Sequence, residues 1–198
     1  DEPTIGVFAD LKMRWGIAGL EEPAPDIAVV MNLKNKTKSR SSFSVRKEGT
    51  RPSLVIEVMS PHSPGDDTEK VTIYKRAGVT EYLIINPYTK ELTINYTLSG
   101  YRLRGGVYQP ILPDAQGRLF SQTTHVLIGV ADHGQRIRLK DAITGEWLLT
   151  AAETEKARQQ EQDARIAEAR RRVKAETLAE VEAQARQAAE ARLQVEAQ

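Results

Sequence analysis

The sequence predicts a mixed α/β (α+β) fold: a mixed β-sheet flanked by helices and followed by a long C-terminal helix. Short apolar runs recur along the first 140 residues, and one helical segment lies between two of them. Residues 151–198 contain no Gly, no Pro and no aromatic residue. We therefore predict two domains, 1–150 and 151–198.

The first two predicted strands are short continuous apolar runs, residues 27–33 and 54–59. Runs of this length favour buried strands. The basic, Ser-rich segment 34–51 between them is typical of an exposed loop. Before residue 27 the sequence offers only a weak helix candidate, residues 8–14.

Residues 66–77 predict a helix, with Asp66 or Asp67 as its N-cap and Gly78 just past its end. A third strand is expected over residues 81–86. A strand, a helix and a strand in this length of chain are typical of a right-handed crossover between parallel strands.

The remaining strands are expected to be antiparallel. Pro87 is expected to end the third strand. Residues 91–98 alternate in polarity and predict a hairpin that turns at Gly100 into residues 101–108. Two short strands, residues 126–130 and 135–139, complete the first domain.

The second domain consists almost entirely of strong helix formers. Pairs such as Glu161 and Arg165 lie four residues apart and support a helix. Ile166 and Val173 are one heptad apart, but the next position in that register is Glu180. A weak coiled coil that makes the chain a homo-oligomer and a solvated single helix both stay open.

Composition excludes several classes of protein. The chain has 28 Lys and Arg against 27 Asp and Glu, a net charge of +1, which excludes nucleic-acid binding through gross positive charge. The lack of cysteine excludes disulfides, Cys-ligated metals and thiol nucleophiles. No apolar run approaches a membrane span, so we expect no membrane partner and a cytoplasmic location. The chain begins at Asp1 rather than Met, and we expect a truncated N-terminal part.

Two carboxylates stand at unusual positions in the predicted strands. Glu57 lies inside an apolar strand, on the face of Val55 and Met59, and a buried carboxylate is costly unless it is paired or metal-bound. Asp26 opens the preceding strand, directly after Pro25. Carboxylates at the ends of adjacent strands can share one Mg²⁺. The alternatives are a solvent-facing Glu57 and an Asp26 that serves only as a turn residue.

Lysines and an arginine complete the candidate site. Lys70 lies one turn into the predicted helix. It either forms a surface pair with Asp66 or faces the carboxylates and stabilises developing charge there. The basic residues of the first loop either contact nucleic-acid phosphates or are simply solvated; they are Lys34, Lys36, Lys38 and Arg40.

An ordered set of motifs resembles one known family. It comprises Pro25-Asp26, residues 51–61 (RPSLVIEVMSP), Asp66-x-x-x-Lys70-x-x-x-Tyr74 and residues 77–82 (AGVxEY). The sequence resembles the Uma-two family of putative restriction endonucleases, assigned to the PD-(D/E)XK nuclease superfamily. The resemblance implies a restriction-endonuclease-like fold and a Mg²⁺- or Mn²⁺-dependent endonuclease, a hydrolase whose partner is DNA.

The resemblance also implies roles for individual residues. Asp26 and Glu57 match the metal-binding acids, and the Val58 carbonyl matches a further ligand. The usual Lys two residues after the second acid is replaced by Met59, and Lys70 on the following helix matches the family's own lysine. The alternative is a non-catalytic module of the same fold that self-associates or recruits partners through its C-terminal helix.

Overall fold

The computed structural model describes residues 4–60 and 66–196, without the side chains of 66–67 and 188–196. The chain divides into two compact units, Asp1–Leu148 and Leu149–Gln198. Along the described residues the first unit contains β1 (Gly6–Phe8), β2 (Met13–Arg14), β3 (Ile27–Val30), β4 (Phe43–Ser44), α1 (Val45–Glu48), β5 (Pro52–Val58), α2 (Asp66–Ala77), β6 (Glu81–Lys90), β7 (Thr93–Arg104), β8 (Val107–Pro110), β9 (Leu119–Ser121), β10 (Val126–Ala131) and β11 (Arg136–Asp141).

The main sheet has six strands in the order β1-β3-β5-β6-β7-β8. Only the central pair, β5 and β6, is parallel, and α2 connects these two strands. The other neighbours are antiparallel. The structure therefore confirms the predicted mixed sheet and the parallel pair joined by a helix.

Both faces of the main sheet are covered. One face packs Val55 and Tyr82 against Tyr74 of α2 and against Trp15 of the N-terminal segment. The other face packs against a second sheet, of order β11-β10-β9, through residues such as Leu83. Because side chains alternate along a strand, β5 directs Glu57 toward the face that α2 covers.

Helix α2 has the predicted bounds, Asp66–Ala77. It ends because Gly78 adopts a left-handed φ of 75°, which a residue without a Cβ adopts at little cost. The backbone N–H of Gly78 donates to the Lys75 carbonyl, and that of Val79 donates to the Tyr74 carbonyl.

Three local predictions are wrong. Residues 8–14 are not helical, because Gly6–Phe8 and Met13–Arg14 form short strands. Pro87 does not end β6, which continues to Lys90. Pro87 lies beyond Ile85, the last residue of β6 that pairs with β5, so its missing N–H leaves no bond to β5 unmade.

Gly100 is likewise inside a strand rather than in a turn. A Cβ at this position would press against the side chain of Leu83 and lie 3.2 Å from the Tyr82 carbonyl oxygen, so only glycine allows this close packing. The hairpin instead turns at Gly105 and Gly106, both with positive φ.

The second unit is the helix α3, Ala151–Glu196, as the composition predicts. Its N-terminus is a capping box, because Thr150 and Glu153 each accept a hydrogen bond from the other's backbone N–H. Its large aliphatic side chains are 43–61% exposed at Ile166, Val173, Leu178 and Val181. Among the described residues, none of the helices combines the length and the apolar character that a membrane crossing needs.

Candidate active site

Asp26 and Glu57 meet at one end of the β3–β5 pair. The register pairs Ile27 with Ile56, so one step further places Asp26 opposite Glu57. Directly opposed residues of antiparallel strands project from the same face. The two carboxylates therefore lie on the side of the sheet that α2 covers.

Glu57 is buried, with 3% of its surface exposed. The Tyr74 hydroxyl donates to Glu57 Oε1 at 2.5 Å, and Lys70 Nζ lies 3.3 Å from Glu57 Oε2. The solvent-facing alternative for Glu57 is thus wrong. Tyr74 and Lys70 reach the same carboxylate because residues four apart share one face of a helix.

Burial raises the pKa of Glu57 above its ordinary value, and the nearby charge of Asp26 acts in the same direction. The Tyr74 hydroxyl and the Lys70 ammonium oppose this shift without cancelling it. Burial, and then the negative charge of Glu57, also raise the pKa of Tyr74, so this phenol stays protonated and remains a donor. The protein alone therefore compensates the Glu57 charge incompletely.

Asp26 is half-buried and held by the backbone of β5. Its Oδ2 accepts a hydrogen bond from the Val58 N–H at 2.6 Å. The Val58 side chain is 47% exposed, so this end of β5 borders solvent. The role of the Val58 carbonyl as a metal ligand stays a prediction.

Aromatic residues hold Tyr74 in place. Its ring packs edge-on against Trp15 with centroids 6.0 Å apart, and against Tyr82 at 4.8 Å. All three rings are buried. The sequence motif contains Tyr74 but gave it no site role, although its spacing of four residues from Lys70 places both on one face of the helix.

The donor set suits a hard divalent cation. Asp26 and Glu57 supply carboxylate oxygens on one face, and Mg²⁺ binds through one or two carboxylates together with water. Burial raises the pKa of Glu57, and a positive charge beside this carboxylate would act in the opposite direction. Within the part of the chain that the structure describes, no three His, Asp or Glu side chains cluster as metal ligands, so such an ion would depend on these two acids and on backbone oxygen.

A second buried carboxylate, Glu81, has a different environment. It pairs with Arg102 at 2.8 Å and accepts bonds from the Ser121 hydroxyl and from the N–H groups of Gln122 and Thr123. Burial alone would raise the pKa of Glu81, but these hydrogen bonds outweigh it, and the net pKa is lowered. Glu81 is a structural anchor between the two sheets.

The predicted phosphate-contacting loop is only partly as expected. Lys34, Lys36 and Lys38 are exposed, and the loop leaves β3 at the end opposite Asp26. The side chain of Arg40 is only 3% exposed and forms a double hydrogen bond with Glu48. Arg40 also donates to the Lys38 carbonyl. Its contacts give Arg40 a structural role in holding the loop, in contrast with the predicted contact to phosphate.

Two sequence expectations lie outside the described residues. One is the turn that the sequence SPHSP at residues 60–64 predicts around His62, of which only Ser60 is described. The other is the pairing of Lys70 with Asp66, because the Asp66 side chain is not described.

The mixed sheet, the crossover helix and the acidic pair beside a lysine define a restriction-endonuclease-like protein. Residues 1–131 match the Uma2 family, described as putative restriction endonuclease, which is the Uma-two family of the sequence resemblance. The match spans well over half of the chain, so the chain belongs to this family, and the predicted family and fold are confirmed. No curated protein and no solved structure matches the chain. The family indicates a nuclease, and proteins of this fold generally use divalent metals.

Proposed function

We propose that this protein is a divalent-metal-dependent endonuclease that hydrolyses phosphodiester bonds of DNA. The observation that supports it most is the buried, incompletely compensated Glu57 opposite Asp26 and beside Lys70. A buried carboxylate whose pKa is raised and which has a specific charged partner is a candidate for a catalytic group.

Asp26, Glu57 and the Val58 carbonyl would hold Mg²⁺ or Mn²⁺. Such an ion, when bound, lowers the pKa of water and neutralises charge on a phosphate. The protein's part is to fix the ligands. The Tyr74 hydroxyl orients the Glu57 carboxylate, and the Val58 N–H orients that of Asp26.

Lys70 would be the remaining charged group of the reaction. Its ammonium lies 3.3 Å from Glu57 Oε2, and its side chain is 22% exposed. An ammonium there can orient the attacking water and stabilise negative charge that develops on the phosphate. Lys34, Lys36 and Lys38 would contact DNA phosphates away from the carboxylates.

Plasmid nicking tests the proposed reaction. We expect nicking by the full chain with Mg²⁺ or Mn²⁺, and rates lower by roughly 100-fold or more for Glu57→Gln, Asp26→Asn and Lys70→Gln. Asp132→Asn, in an exposed ion pair with Arg136, is the matched control and should nick normally. A folded parent that does not nick in either metal would contradict the proposal.

Thermal unfolding tests the metal site without activity. An ion that binds only the folded state stabilises it by about 2.7 kcal/mol at 100 times its Kd. We expect Mn²⁺ to raise the Tm of the parent chain and to have a much smaller effect on Glu57→Gln. Equal shifts in both proteins would place the bound ion elsewhere.

A second candidate, a non-catalytic module of the same fold, is favoured by one observation. Both oxygens of Glu57 already contact protein groups, Tyr74 and Lys70, as in a purely structural buried pair. Under this alternative Mn²⁺ changes neither the Tm nor the integrity of the plasmid, whereas the nuclease requires both changes.

A further inference from the structure

A serine-rich pocket opens beside the basic loop that follows β3. It is lined by residues 38–42, Ser44, Arg14, Lys47 and Glu48, and its volume is about 270 Å³. Pockets that hold drug-sized ligands are larger, roughly 300–1,000 Å³. The size therefore suits a single charged group better than a large organic ligand.

Strands β2 and β4 form the floor of the serine-rich pocket. Their register pairs Arg14 with Ser44 and Met13 with Phe43. Met13 and Phe43 are buried in the core that contains Tyr74. Because side chains alternate along a strand, Arg14 and Ser44 point outward together and reach the pocket from one face.

Arg40 fixes the loop that forms the wall of the pocket. Its guanidinium donates to three backbone carbonyls of residues 34–38 and to both carboxylate oxygens of Glu48. Only 3% of the Arg40 side chain is exposed. The wall is therefore formed before any ligand binds, which lowers the entropic cost of binding.

Two cations of the pocket keep their charge uncompensated. Of the described lining residues only Glu48 carries a carboxylate, and its oxygens already contact Arg40 and Lys38. Arg14 and Lys47 are exposed, and within residues 4–60 and 66–196 their side chains have no ion-pair or hydrogen-bond partner. The lining therefore has an excess of positive charge that depends on neither Arg40 nor Lys38.

Serine hydroxyls supply neutral donors in the same pocket. The serines of the lining are Ser39, Ser41, Ser42 and Ser44. Ser44 precedes α1 but does not cap it with its hydroxyl. Across the described part of the chain none of these hydroxyls has a hydrogen-bond partner. Hydroxyl donors beside unpaired cations suit an oxyanion that has several acceptor oxygens.

The serine-rich pocket lies on the same side of the main sheet as Glu57. Arg14 and Ser44 are on the outer surface of the layer whose buried side packs around Tyr74. Trp15, next to Arg14, packs edge-on against the Tyr74 ring with centroids 6.0 Å apart. The pocket and the candidate active site therefore belong to one side of the first unit.

We propose that the serine-rich pocket binds a backbone phosphate of DNA, away from the bond that is cut. Arg14 and Lys47 would neutralise the phosphate, and the Ser44 hydroxyl would donate to one of its oxygens. Contacts of this kind position a duplex without reading its sequence. The inference rests on the proposed function in taking DNA as the ligand, but it does not require hydrolysis.

Fluorescence anisotropy with a short labelled duplex tests the proposal, using the full chain in EDTA so that nothing is cleaved. Each phosphate contact contributes about 0.9 to the slope of log K against log salt. We expect Arg14→Gln and Lys47→Gln each to reduce the magnitude of that slope by about 0.9. Arg136→Gln lies on the second sheet, at the opposite face of the main sheet. It is the matched control and should leave the slope unchanged.

Ser44→Ala adds a readout that a general loss of charge would not produce. It removes a neutral donor, so we expect binding to weaken by about 3- to 10-fold with an unchanged salt slope. Thermal unfolding with inorganic phosphate, at constant ionic strength, tests free phosphate as the other source of the same group. If phosphate raises the Tm of the parent but not of Arg14→Gln, while both bind the duplex equally, the proposal is overturned.

Glu57→Gln separates this inference from the proposed function, since it should abolish nicking without weakening the duplex affinity. A parent that shows the expected salt slopes but does not nick contradicts the proposed function alone. A nicking parent whose folded Arg14→Gln, Lys47→Gln and Ser44→Ala variants bind the duplex as tightly as it does overturns the inference alone. So does a parent that binds no duplex. Lys47→Gln and Ser44→Ala keep the test valid if Arg14→Gln fails to fold.

Discussion

Two glutamates of the main sheet are buried almost equally, yet their pKa values move in opposite directions. Burial raises the pKa of Glu57, although this carboxylate accepts a hydrogen bond from the Tyr74 hydroxyl and forms an ion pair with the Lys70 ammonium. Burial of Glu81 is outweighed by its hydrogen bonds, so its pKa is lowered. The contrast at the scale of single residues distinguishes an acid whose burial outweighs the groups that stabilise its charge from one whose hydrogen bonds outweigh its burial.

Tyr74→Phe is the prediction at this scale. It removes the hydroxyl that donates to Glu57 Oε1 and leaves the ring packing in place. Because hydrogen bonds to charged groups contribute more than neutral ones, we expect a loss of about 2 kcal/mol in the free energy of unfolding. Urea unfolding measures it.

Tyr108→Phe is the matched control for that variant. Its hydroxyl donates to a neutral acceptor, the Val79 carbonyl, at 2.9 Å. A loss of only about 1 kcal/mol is therefore expected. Equal losses in the two variants would mean that the Glu57 charge does not strengthen the Tyr74 bond.

At the scale of elements, Glu81 joins β6 to its neighbours. Arg102 of β7 pairs with Glu81 and also donates to the Phe120 carbonyl of β9. Ser121 and the turn that follows it supply the remaining donors. The second sheet is thus attached to the main sheet by a polar anchor as well as by apolar packing.

Glu81→Gln should weaken this anchor, because it leaves Arg102 without its buried partner. We expect a loss of about 3 kcal/mol at pH 7. The folded-state pKa of Glu81 lies below its ordinary 4.5. Its stabilisation is therefore complete above about pH 4.5 and is lost as the pH falls through the folded-state value.

Urea unfolding of the parent and Glu81→Gln between pH 7 and pH 3 measures that dependence. The difference in unfolding free energy between the two proteins should shrink toward low pH. A difference that stays constant or grows as the pH falls would refute the assignment. Asp132→Asn, in an exposed pair, should follow the parent at every pH.

At the scale of the whole molecule, the two units differ in how they are stabilised. Both apolar cores are built from residues that precede Trp147. Helix α3 relies on its capping box and on exposed pairs such as Glu161–Arg165 and Arg172–Glu176. Such pairs contribute a few tenths of a kcal/mol each to a helix.

Deleting residues 151–198 removes no residue of either apolar core, so we expect the first unit to fold and to nick DNA without the helix. Self-association through α3 stays a prediction, and sedimentation of the full and shortened chains measures it. A heavier species formed only by the full chain would support the prediction. If the full and the shortened protein form particles with the same number of chains, the helix has no role in self-association.

Much of the fold could be predicted because local patterns determine it. The apolar runs that became β3 and β5 and the capped helix α2 were predicted nearly as observed. The end of β6 and the turn of the β7–β8 hairpin were misplaced because Pro87 and Gly100 are usual turn residues. In the sheet, Pro87 lies where no bond to β5 is made, and Gly100 allows close packing. The strands that lie beside Pro87 and Gly100 cannot be identified from the local sequence.

The sequence by itself determined the order of elements, the family and the pairing of an acid in β5 with an acid before β3, because these depend on spacing and residue type. Only the tertiary structure decided that the Tyr74 hydroxyl donates a hydrogen bond to Glu57 and that Arg40 forms hydrogen bonds with Glu48 and within its own loop. It also decided that Trp147 packs against Arg138 and Lys140. These contacts join residues whose proximity is set by strand register and sheet packing rather than by local propensity.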